Sequence, residues 1–380
     1  MKILLLGEYN SSHYTLKKGL EKLGHDVLVV GNGDGFKKRM VDINFNIKYN
    51  TGFPFYVKRF FYKLFKIDIT SINIKKQFDN HKHKFKNFDV VQLINESPFK
   101  ALPKTEKKLL KFIFDTNKNV FLLSCGTDYV SVKYASEDKF RYSILTPYYQ
   151  NKGSKKTFWH ALMYLAPNYI KLHEFIYNNI KGVIASDLDY HIPLINNNKY
   201  IGLVPNPINI EEIKYIDLKI DDKIIIFHGI NQNNYYKKGN DIFEDALALV
   251  EDKYNDRIEI ITVKSMPYNE YIKAYDKAHI LLDQVYAYDQ GFNALEAMAK
   301  GKVVFTGAEK EWLEYYNLKE DSVAINALPN AENIAKKIEW LILNPNKIKE
   351  ISKEARAFVE REHNYIKCAQ LYLDKWEQNS

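Results

Sequence analysis

The stretch "KILLLGEYNSSHYTLKKGLEKLGHDVLVVG" (Lys2–Gly31) has the pattern of a β–α–β unit. Ile3–Leu6 is a continuous apolar run, as a buried parallel strand requires. The apolar residues that follow recur at helical spacing, at Leu16, Leu20 and Leu23. Ser11 or Ser12 is placed to cap that helix, and Gly24 is placed to end it. "DVLVV" then predicts a second buried strand, so the chain opens with two parallel strands joined by a helix.

Strand-like runs of the same kind recur along the chain and alternate with helical stretches. They lie at 88–94, 119–124 and 182–186, and then, after the proline-bracketed linker Gly202–Asn209, at 223–229, 258–263, 279–284 and 302–305. Such alternation is typical of parallel sheets with helices on both faces. We therefore predict an α/β fold of two doubly wound, Rossmann-like domains that face a cleft.

The length and composition agree with this division. A chain of 380 residues with 46% apolar content suits two domains of ordinary size. We place them at residues 1–203 and 204–361, followed by a helical terminus at about 362–380. With only two cysteines, Cys125 and Cys368, no disulfide framework is implied. The apolar run at the N-terminus is too short for a signal peptide, and no stretch approaches 18 apolar residues, so a cytoplasmic protein is expected.

Positive charge is concentrated in one part of the chain. Residues 37–86 hold thirteen Lys and Arg against three Asp, whereas the whole chain carries a formal net charge of +8. One basic segment in an otherwise balanced protein favours a localised surface over nucleic-acid binding. Within it, "FPFYVKRFFYKLFKI" (Phe53–Ile67) interleaves aromatic residues with four basic ones, Lys58, Arg59, Lys63 and Lys66. Such a helix suits an anionic membrane interface, and the alternative is a half-buried helix with one solvated face.

The candidate functional residues follow from the predicted topology. In open α/β sheets, ligands bind beyond the carboxyl ends of the strands. On the first domain this rule selects the loops at Gly7–Thr15 and Asn95–Phe99, which bring in Glu8, Asn10, His13 and Glu96. On the second domain it selects loops at Gly229–Gly239, Lys264–Pro267 and Tyr286–Asn293, which bring in Gly229, Asn231 and Met266.

The loop "INQNNYYKKGND" (Ile230–Asp241) leads from a strand into a helix. A helix N-terminus with a lysine beside it attracts anions. Lys237 or Lys238, next to Gly239, is therefore placed to hold a diphosphate. The alternative is a solvated loop that carries two surface lysines.

The stretch "DQGFNALEAMAKG" (Asp289–Gly301) places Glu296 near the start of a short helix. Three interpretations stand. In the first, Asn293 is an N-cap and Glu296 is its capping-box partner at the third helical position. In the second, Glu296 points into the cleft and accepts hydrogen bonds from sugar hydroxyls. In the third, Glu296 binds a metal. The last has no partner at usable spacing.

Two other features have ordinary explanations. In "SCGTDYV" (Ser124–Val130), Thr127 or Asp128 is placed to cap a helix, and Cys125 lacks an orienting base, so packing is its default role. The first loop lacks a G-x-G-x-x-G sequence, which disfavours a nicotinamide cofactor.

Taken together, these segments resemble the retaining GT-B glycosyltransferases of family 4 (GT4), which includes sucrose synthases and bacterial mannosyltransferases. "GFNALEAMAKGKVVFTG" is similar to the family's donor-site motif, "VPNPIN" to its interdomain segment, and "HGINQNNYYKKGND" to its diphosphate loop. "ARAFVEREHNYIKCAQLYLDKW" (Ala355–Trp376) is similar to its terminal helices, which cross back onto the first domain. The similarity covers most of residues 200–380.

The resemblance implies transfer of a sugar from a nucleotide-diphosphate sugar to a glycan or lipid-linked acceptor, with retention and without a metal or resident cofactor. Glu296 would contact the ribose of the nucleotide. The backbone of Gly291–Ala294, which includes Phe292 and Asn293, would contact the donor sugar or the phosphates. Lys238 would stabilise the leaving group. Asp128 and Asp289 are the further catalytic candidates. The resemblance also places Glu8, Asn10, His13 and Glu96 of the first domain on the acceptor side. The nucleotide base is left open.

The sequence departs from the family pattern at two places. Eight residues before Glu296, where the family has a second Glu, stands Tyr288, and Asp289 is the nearest acid. The family's Arg after the loop glycine is replaced by Ile230–Asn231. A GT-B sugar-nucleotide 2-epimerase and a non-catalytic nucleotide-sugar binding protein therefore remain as alternatives. A lipid-linked acceptor would place the protein at the inner face of the cell membrane.

Overall fold

The computed structural model describes residues 1–33, 40–49, 52–65, 67–265 and 268–380. Two parallel sheets organise the chain. The first has seven strands in the order β3-β2-β1-β4-β5-β6-β7. They are β1 (Lys2–Leu6), β2 (Asp26–Gly31), β3 (Ile43–Asn44), β4 (Val90–Leu93), β5 (Val120–Ser124), β6 (Gly182–Ala185) and β7 (Tyr200–Leu203).

Helices cover both faces of this sheet. They are α1 (Ser12–Lys22), α2 (Gly52–Phe65), α3 (Ile69–His81), α4 (Pro103–Thr116), α5 (Tyr129–Ser136), α6 (Thr146–Tyr149), α7 (Trp159–Leu162), α8 (Pro167–Tyr177) and α9 (Leu188–Leu194). The strands consist almost entirely of buried residues, since a sheet covered on both sides has no solvent face. In register, Leu4 of β1 lies between Leu28 of β2 and Val91 of β4.

The second sheet has five parallel strands in the order β12-β11-β10-β8-β9. They are β8 (Ile224–Ile230), β9 (Ile258–Lys264), β10 (Ile280–Leu282), β11 (Val303–Thr306) and β12 (Ile325–Asn326). Its helices are α10 (Asn240–Tyr254), α11 (Tyr268–Lys277), α12 (Phe292–Ala299), α13 (Lys310–Tyr316), α14 (Ala331–Leu343) and α15 (Pro345–Glu362). The short strands β3, β7 and β12 have no counterpart among the runs expected from the sequence, and β7 includes the first two residues of the expected linker.

The last helix, α16 (Tyr365–Gln378), returns to the first domain. It packs against α1 so closely that a Cβ on Gly19 would lie 2.3 Å from the carbonyl oxygen of Tyr365. Trp376 is fully buried, and its indole N–H donates to the Gln92 side chain in β4 at 3.1 Å. This confirms the expected fold, including the terminal helix that crosses back to the first domain.

The stretch between α5 and α8, residues 137–166, forms what we call the bridging segment, because it reaches from the first domain to the second. Arg141 donates to Glu309 at 2.6 Å and to Glu311 at 2.6 and 2.8 Å, and Lys152 forms an ion pair with Asp241 at 2.6 Å. These contacts hold the two domains together over the cleft. No helix within the described ranges is long and apolar enough to cross a membrane.

Candidate functional site

The carboxyl ends of both sheets meet at the interdomain cleft, where two cavities lie side by side. The first, about 220 Å³, is lined by residues of both domains, among them Tyr9, Asp189 and Gly291. The second, about 290 Å³, lies between α1, the interdomain linker and the helices α11 and α12, and it includes Glu296. Phe292 lines both cavities and so forms the wall between them. An elongated ligand that occupied both would pass the N-terminus of α12.

A charged network lies at that N-terminus. The Lys238 ammonium donates to the Asp283 carboxylate at 2.8 Å, and the Asn293 amide donates to the same oxygen at 2.9 Å. The Asp283 side chain is 1% exposed and that of Lys238 is 30% exposed. Asp283 therefore fixes the lysine and the asparagine, while part of the lysine side chain remains exposed.

Two helix N-termini flank this network. Gly239 precedes α10 with a φ of 70°, and a Cβ there would lie 2.6 Å from Val285, so the turn requires glycine. Gly291 precedes α12, and the space around its missing Cβ is open. Neither N-cap residue makes a side-chain capping hydrogen bond. At α10 the backbone N–H of Asn240 already donates to the Tyr235 carbonyl at 3.0 Å and that of Ile242 to the Gly239 carbonyl at 3.1 Å. The first backbone N–H groups of α12 are therefore the better placed of the two sets to serve an anionic ligand.

The capping interpretation of Glu296 is wrong. Because α12 begins at Phe292 with Gly291 as its N-cap, Glu296 lies in the second turn and Asn293 inside the helix. Asn293 instead contacts Asp283, and the Tyr271 hydroxyl donates to its side-chain oxygen at 3.4 Å. Glu296 is half-buried and lines the larger cavity, as the cleft interpretation requires.

The two neighbouring lysines have different surroundings. Lys237 is 8% exposed, and its ammonium lies 3.1 Å from the nearer ring nitrogen of His160 in the bridging segment. Burial lowers the pKa of Lys237 to about 8. The solvated-loop alternative is therefore wrong for Lys237. Lys238 is the lysine that belongs to the network with Asp283 and Asn293.

Three aspartates from both domains line the smaller cavity: Asp187, Asp189 and Asp289. The Asp189 carboxylate accepts from the backbone N–H of Tyr288 at 3.1 Å, and the Asp289 carboxylate accepts from that of Leu188 at 3.0 Å. Burial raises the pKa of Asp189 to about 7 and that of Asp289 to about 6. Asp189 and Asp289 thus each bond the backbone of the opposite domain, which ties the domains together beside the cavity.

The acceptor-side candidates have varied positions. The Glu8 carboxylate accepts from the backbone N–H of Tyr14 at 2.7 Å, so it caps α1, where Ser11 makes no side-chain cap. Asn10 is exposed and lines the smaller cavity. His13 is fully buried between the Gly7 carbonyl and Gln92, and burial lowers its pKa to about 3.

Glu96 and Asp128 are also buried. The Glu96 carboxylate accepts from His173 Nδ1 at 2.6 Å, and burial raises the Glu96 pKa. Asp128 caps α5 by accepting from the backbone N–H of Ser131 at 2.8 Å, and it also accepts from the Ser124 hydroxyl. In the structure, Asp128 therefore serves as the N-cap of α5.

The remaining candidates of the second domain, Gly229, Asn231 and Ala294, have structural surroundings of their own. A Cβ on Gly229 would lie 2.8 Å from the Tyr271 ring. Asn231 is exposed and its side chain accepts from the backbone N–H of Asn233 at 3.0 Å, which shapes the turn at Gln232–Asn234. Ala294 is fully buried. Met266 lies outside the described residues.

Sequence reasoning missed Asp283, Asp187, Asp189 and the whole bridging segment. A signal for Asp283 was present, because it directly follows the buried strand β10 at the edge where ligands bind. Nothing in the sequence indicated that residues 137–166 cross to the second domain. Among the described residues, no group of three or more His, Cys, Asp or Glu could hold a metal ion.

Comparisons with known proteins agree with this geometry. Residues 237–374 match the family model described as "Glycosyl transferase-like". Sucrose-phosphate synthase from Thermosynechococcus elongatus superposes with a TM-score of 0.63 at 14% identity, over 100% of this chain and 99% of that chain. The Anabaena protein Alr3699/HepE, in complex with UDP and glucose, superposes with a TM-score of 0.60 at 13% identity, over 100% of both chains.

A structure from Listeria monocytogenes described as a UDP-N-acetylglucosamine 2-epimerase also superposes, with a TM-score of 0.53 at 11% identity over 98% of this chain and 94% of that chain. The search of curated proteins returned no match. The fold is thus the GT-B architecture of two doubly wound domains. Lys238, Asp283 and Asn293 all lie within residues 237–374, the part of the chain that matches the glycosyl transferase-like family model.

Proposed function

We propose that this protein transfers a sugar from a nucleotide-diphosphate sugar to a glycan or lipid-linked acceptor, with retention at the anomeric carbon and without a metal. The observation that carries the proposal is the Lys238–Asp283–Asn293 network at the start of α12, with a cavity on each side of Phe292. A nucleotide-sugar has the matching layout, since its central diphosphate joins a nucleoside and a sugar.

In this arrangement the ribose hydroxyls donate to Glu296 in the larger cavity and the sugar occupies the smaller one. The diphosphate lies over the N-termini of α10 and α12 beside Lys238. As the bond to the sugar breaks, negative charge grows on the departing phosphate, and a preorganised ammonium and helix N–H groups stabilise that charge. The bound UDP of HepE makes UDP the first nucleotide to test.

The acceptor enters from the first domain, whose Asn10 lines the smaller cavity. Asp289 lines the same cavity and remains the proposed catalytic acid of the second domain, close to the reacting sugar. The lipid-linked form of the acceptor would place the protein in the cytoplasm at the inner face of the membrane.

The test begins with a thermal-shift screen against UDP-, GDP- and ADP-sugars, followed by turnover with candidate acceptors. Release of nucleoside diphosphate that depends on acceptor supports transfer, and the anomeric configuration of the product by NMR tests retention. An epimerised sugar without an acceptor would assign the 2-epimerase activity instead. Binding without any turnover would assign a binding protein. Unchanged turnover in the presence of EDTA supports metal independence.

A further inference from the structure

The helix α2 exposes an unusual amount of apolar surface. Its large apolar residues are 39–67% exposed, namely Tyr56, Phe60, Phe61, Tyr62, Leu64 and Phe65, and the adjoining Ile67 is 43% exposed. Tyr56, Phe60 and Leu64 follow one another at four-residue spacing and so form a single stripe. A soluble protein rarely leaves a contiguous apolar face of this kind in water unless the face binds something.

The charges that α2 itself contributes are all positive. The sequence of α2 contains no Asp or Glu, and Arg59 and Lys63 lie on the flank next to Tyr56 and Phe60. Both side chains are exposed on the surface of the first domain. An apolar stripe flanked by basic residues is the arrangement by which helices lie in the plane of an anionic lipid surface.

A second patch of the same chemistry lies on the bridging segment. Lys155, Lys156 and Trp159 are exposed there, and Trp159 is 50% exposed. The ring of Tyr164, at the end of this segment, lies 5.6 Å from that of Tyr169 in α8.

We propose that α2 and the exposed part of the bridging segment around Lys155–Trp159 together bind the surface of an anionic lipid bilayer. Positive charge faces anionic headgroups, the aromatic side chains enter the interface, and the protein remains peripheral. A protein partner is less suited, because an all-basic flank needs an acidic counterpart along its whole length, which a bilayer supplies by composition alone.

The bridging segment also lines the smaller cavity, through Phe140, Ser143, Ile144 and Leu145. If the proposed transfer function holds, the membrane-bound segment is also a wall of the acceptor cavity. An acceptor held in the bilayer by its own lipid would then reach the cleft along this wall. This extension rests on the proposed function, whereas the bilayer binding does not.

The test is flotation of the full chain with vesicles of phosphatidylcholine alone or with 30% phosphatidylglycerol, at low and high salt. Binding should require phosphatidylglycerol and weaken with salt. Each basic residue near the surface contributes about a fivefold factor in partitioning, so Arg59→Glu/Lys63→Glu should weaken binding at least about 25-fold. Lys155→Glu/Lys156→Glu should weaken it by a similar factor, and Phe60→Ser/Leu64→Ser should also weaken it.

The matched control is Lys349→Glu/Lys353→Glu, which makes the same charge change at exposed positions of α15. If all three double-charge variants bind alike, net charge explains the attraction and the proposed surface is wrong. If no vesicle binds but the chain self-associates through a contact that Phe60→Ser/Leu64→Ser abolishes, α2 is a protein interface and the proposal fails. Nucleotide-sugar binding by each variant, measured separately, reports on the transfer function.

Discussion

Lys238→Ala is expected to damage both stability and turnover, and the structure shows how to separate the two effects. The substitution leaves the Asp283 carboxylate, 1% exposed, without its cation. Removing one partner of a fully buried ion pair costs about 3–5 kcal/mol. Lys238 is 30% exposed and Asn293 still donates at 2.9 Å, so the expected loss is smaller, about 2–3 kcal/mol. For a domain of this size that corresponds to a melting temperature lower by about 4–12 °C.

The catalytic loss has a different origin. If Lys238 stabilises charge on the departing phosphate, its removal should lower turnover about 10²–10³-fold. Affinity for the nucleoside diphosphate should fall about 10–150-fold, the equivalent of one hydrogen bond between charged groups. Adding Asp283→Asn removes the stranded charge and keeps an acceptor oxygen for Asn293. The double variant should therefore regain most of the stability and none of the turnover.

The measurements are urea unfolding, calorimetric binding of UDP or whichever nucleotide the screen selects, and release of that nucleotide in the presence of acceptor. Asp283→Asn alone serves as the control and should retain turnover to within about tenfold, because its lysine remains. If turnover in Lys238→Ala/Asp283→Asn recovers together with stability, the lysine has only a structural role and the proposed mechanism is refuted.

Three further predictions follow from the site. Glu296→Gln should weaken nucleotide binding by about 1.5–3 kcal/mol with little change in melting temperature, since Glu296 is not a helix cap. Unchanged binding by calorimetry together with a lower melting temperature would contradict the ribose contact. Lys237→Ala should reduce turnover less than Lys238→Ala, because the Lys237 ammonium contacts His160, and equal effects would oppose this assignment. Burial raises the Asp189 pKa from 3.8 to about 7, so the folded state holds a proton that the unfolded state releases, and the free energy of unfolding should fall as pH rises from about 4 to 7. Asp189→Asn should flatten that dependence in urea titrations at successive pH values, and an unchanged slope would exclude this carboxyl as its source.

The fold was largely predictable because its signals are local. Buried parallel strands are apolar runs bounded by turns, and every run expected from the sequence overlaps a strand of the structure. The strands that were missed, β3, β7 and β12, are two to four residues long and lie at sheet edges, where no continuous apolar run is needed. The terminal helices were found through resemblance, since their return to the first domain depends on long-range packing such as that between Trp376 and Gln92.

The site was less predictable because it depends on pairing between distant residues. Lys238 and Gly239 were visible as a helix start, but the carboxylate that holds the lysine lies 45 positions further along the chain. Glu296 lines the larger cavity. A capping box that includes Glu296 would need the helix to begin at Ala294, but α12 begins two residues earlier, at Phe292. His13 belongs by sequence to a cleft loop, yet its ring turns into the core, a choice that only packing decides.

The missing family arginine now has a physical explanation. Ile230 is 3% exposed at the end of β8, and Asn231 is committed to the following turn, so neither position presents a cation to the cleft. Lys238 supplies one positive charge, and the N-termini of α10 and α12 each supply roughly half a charge. Asp283 offsets part of this while the site lacks its anion. If the proposed function holds, a bound diphosphate either draws Lys238 away from Asp283 or shares it with Asp283. The geometry of that lysine, more than the total charge, would then determine donor binding.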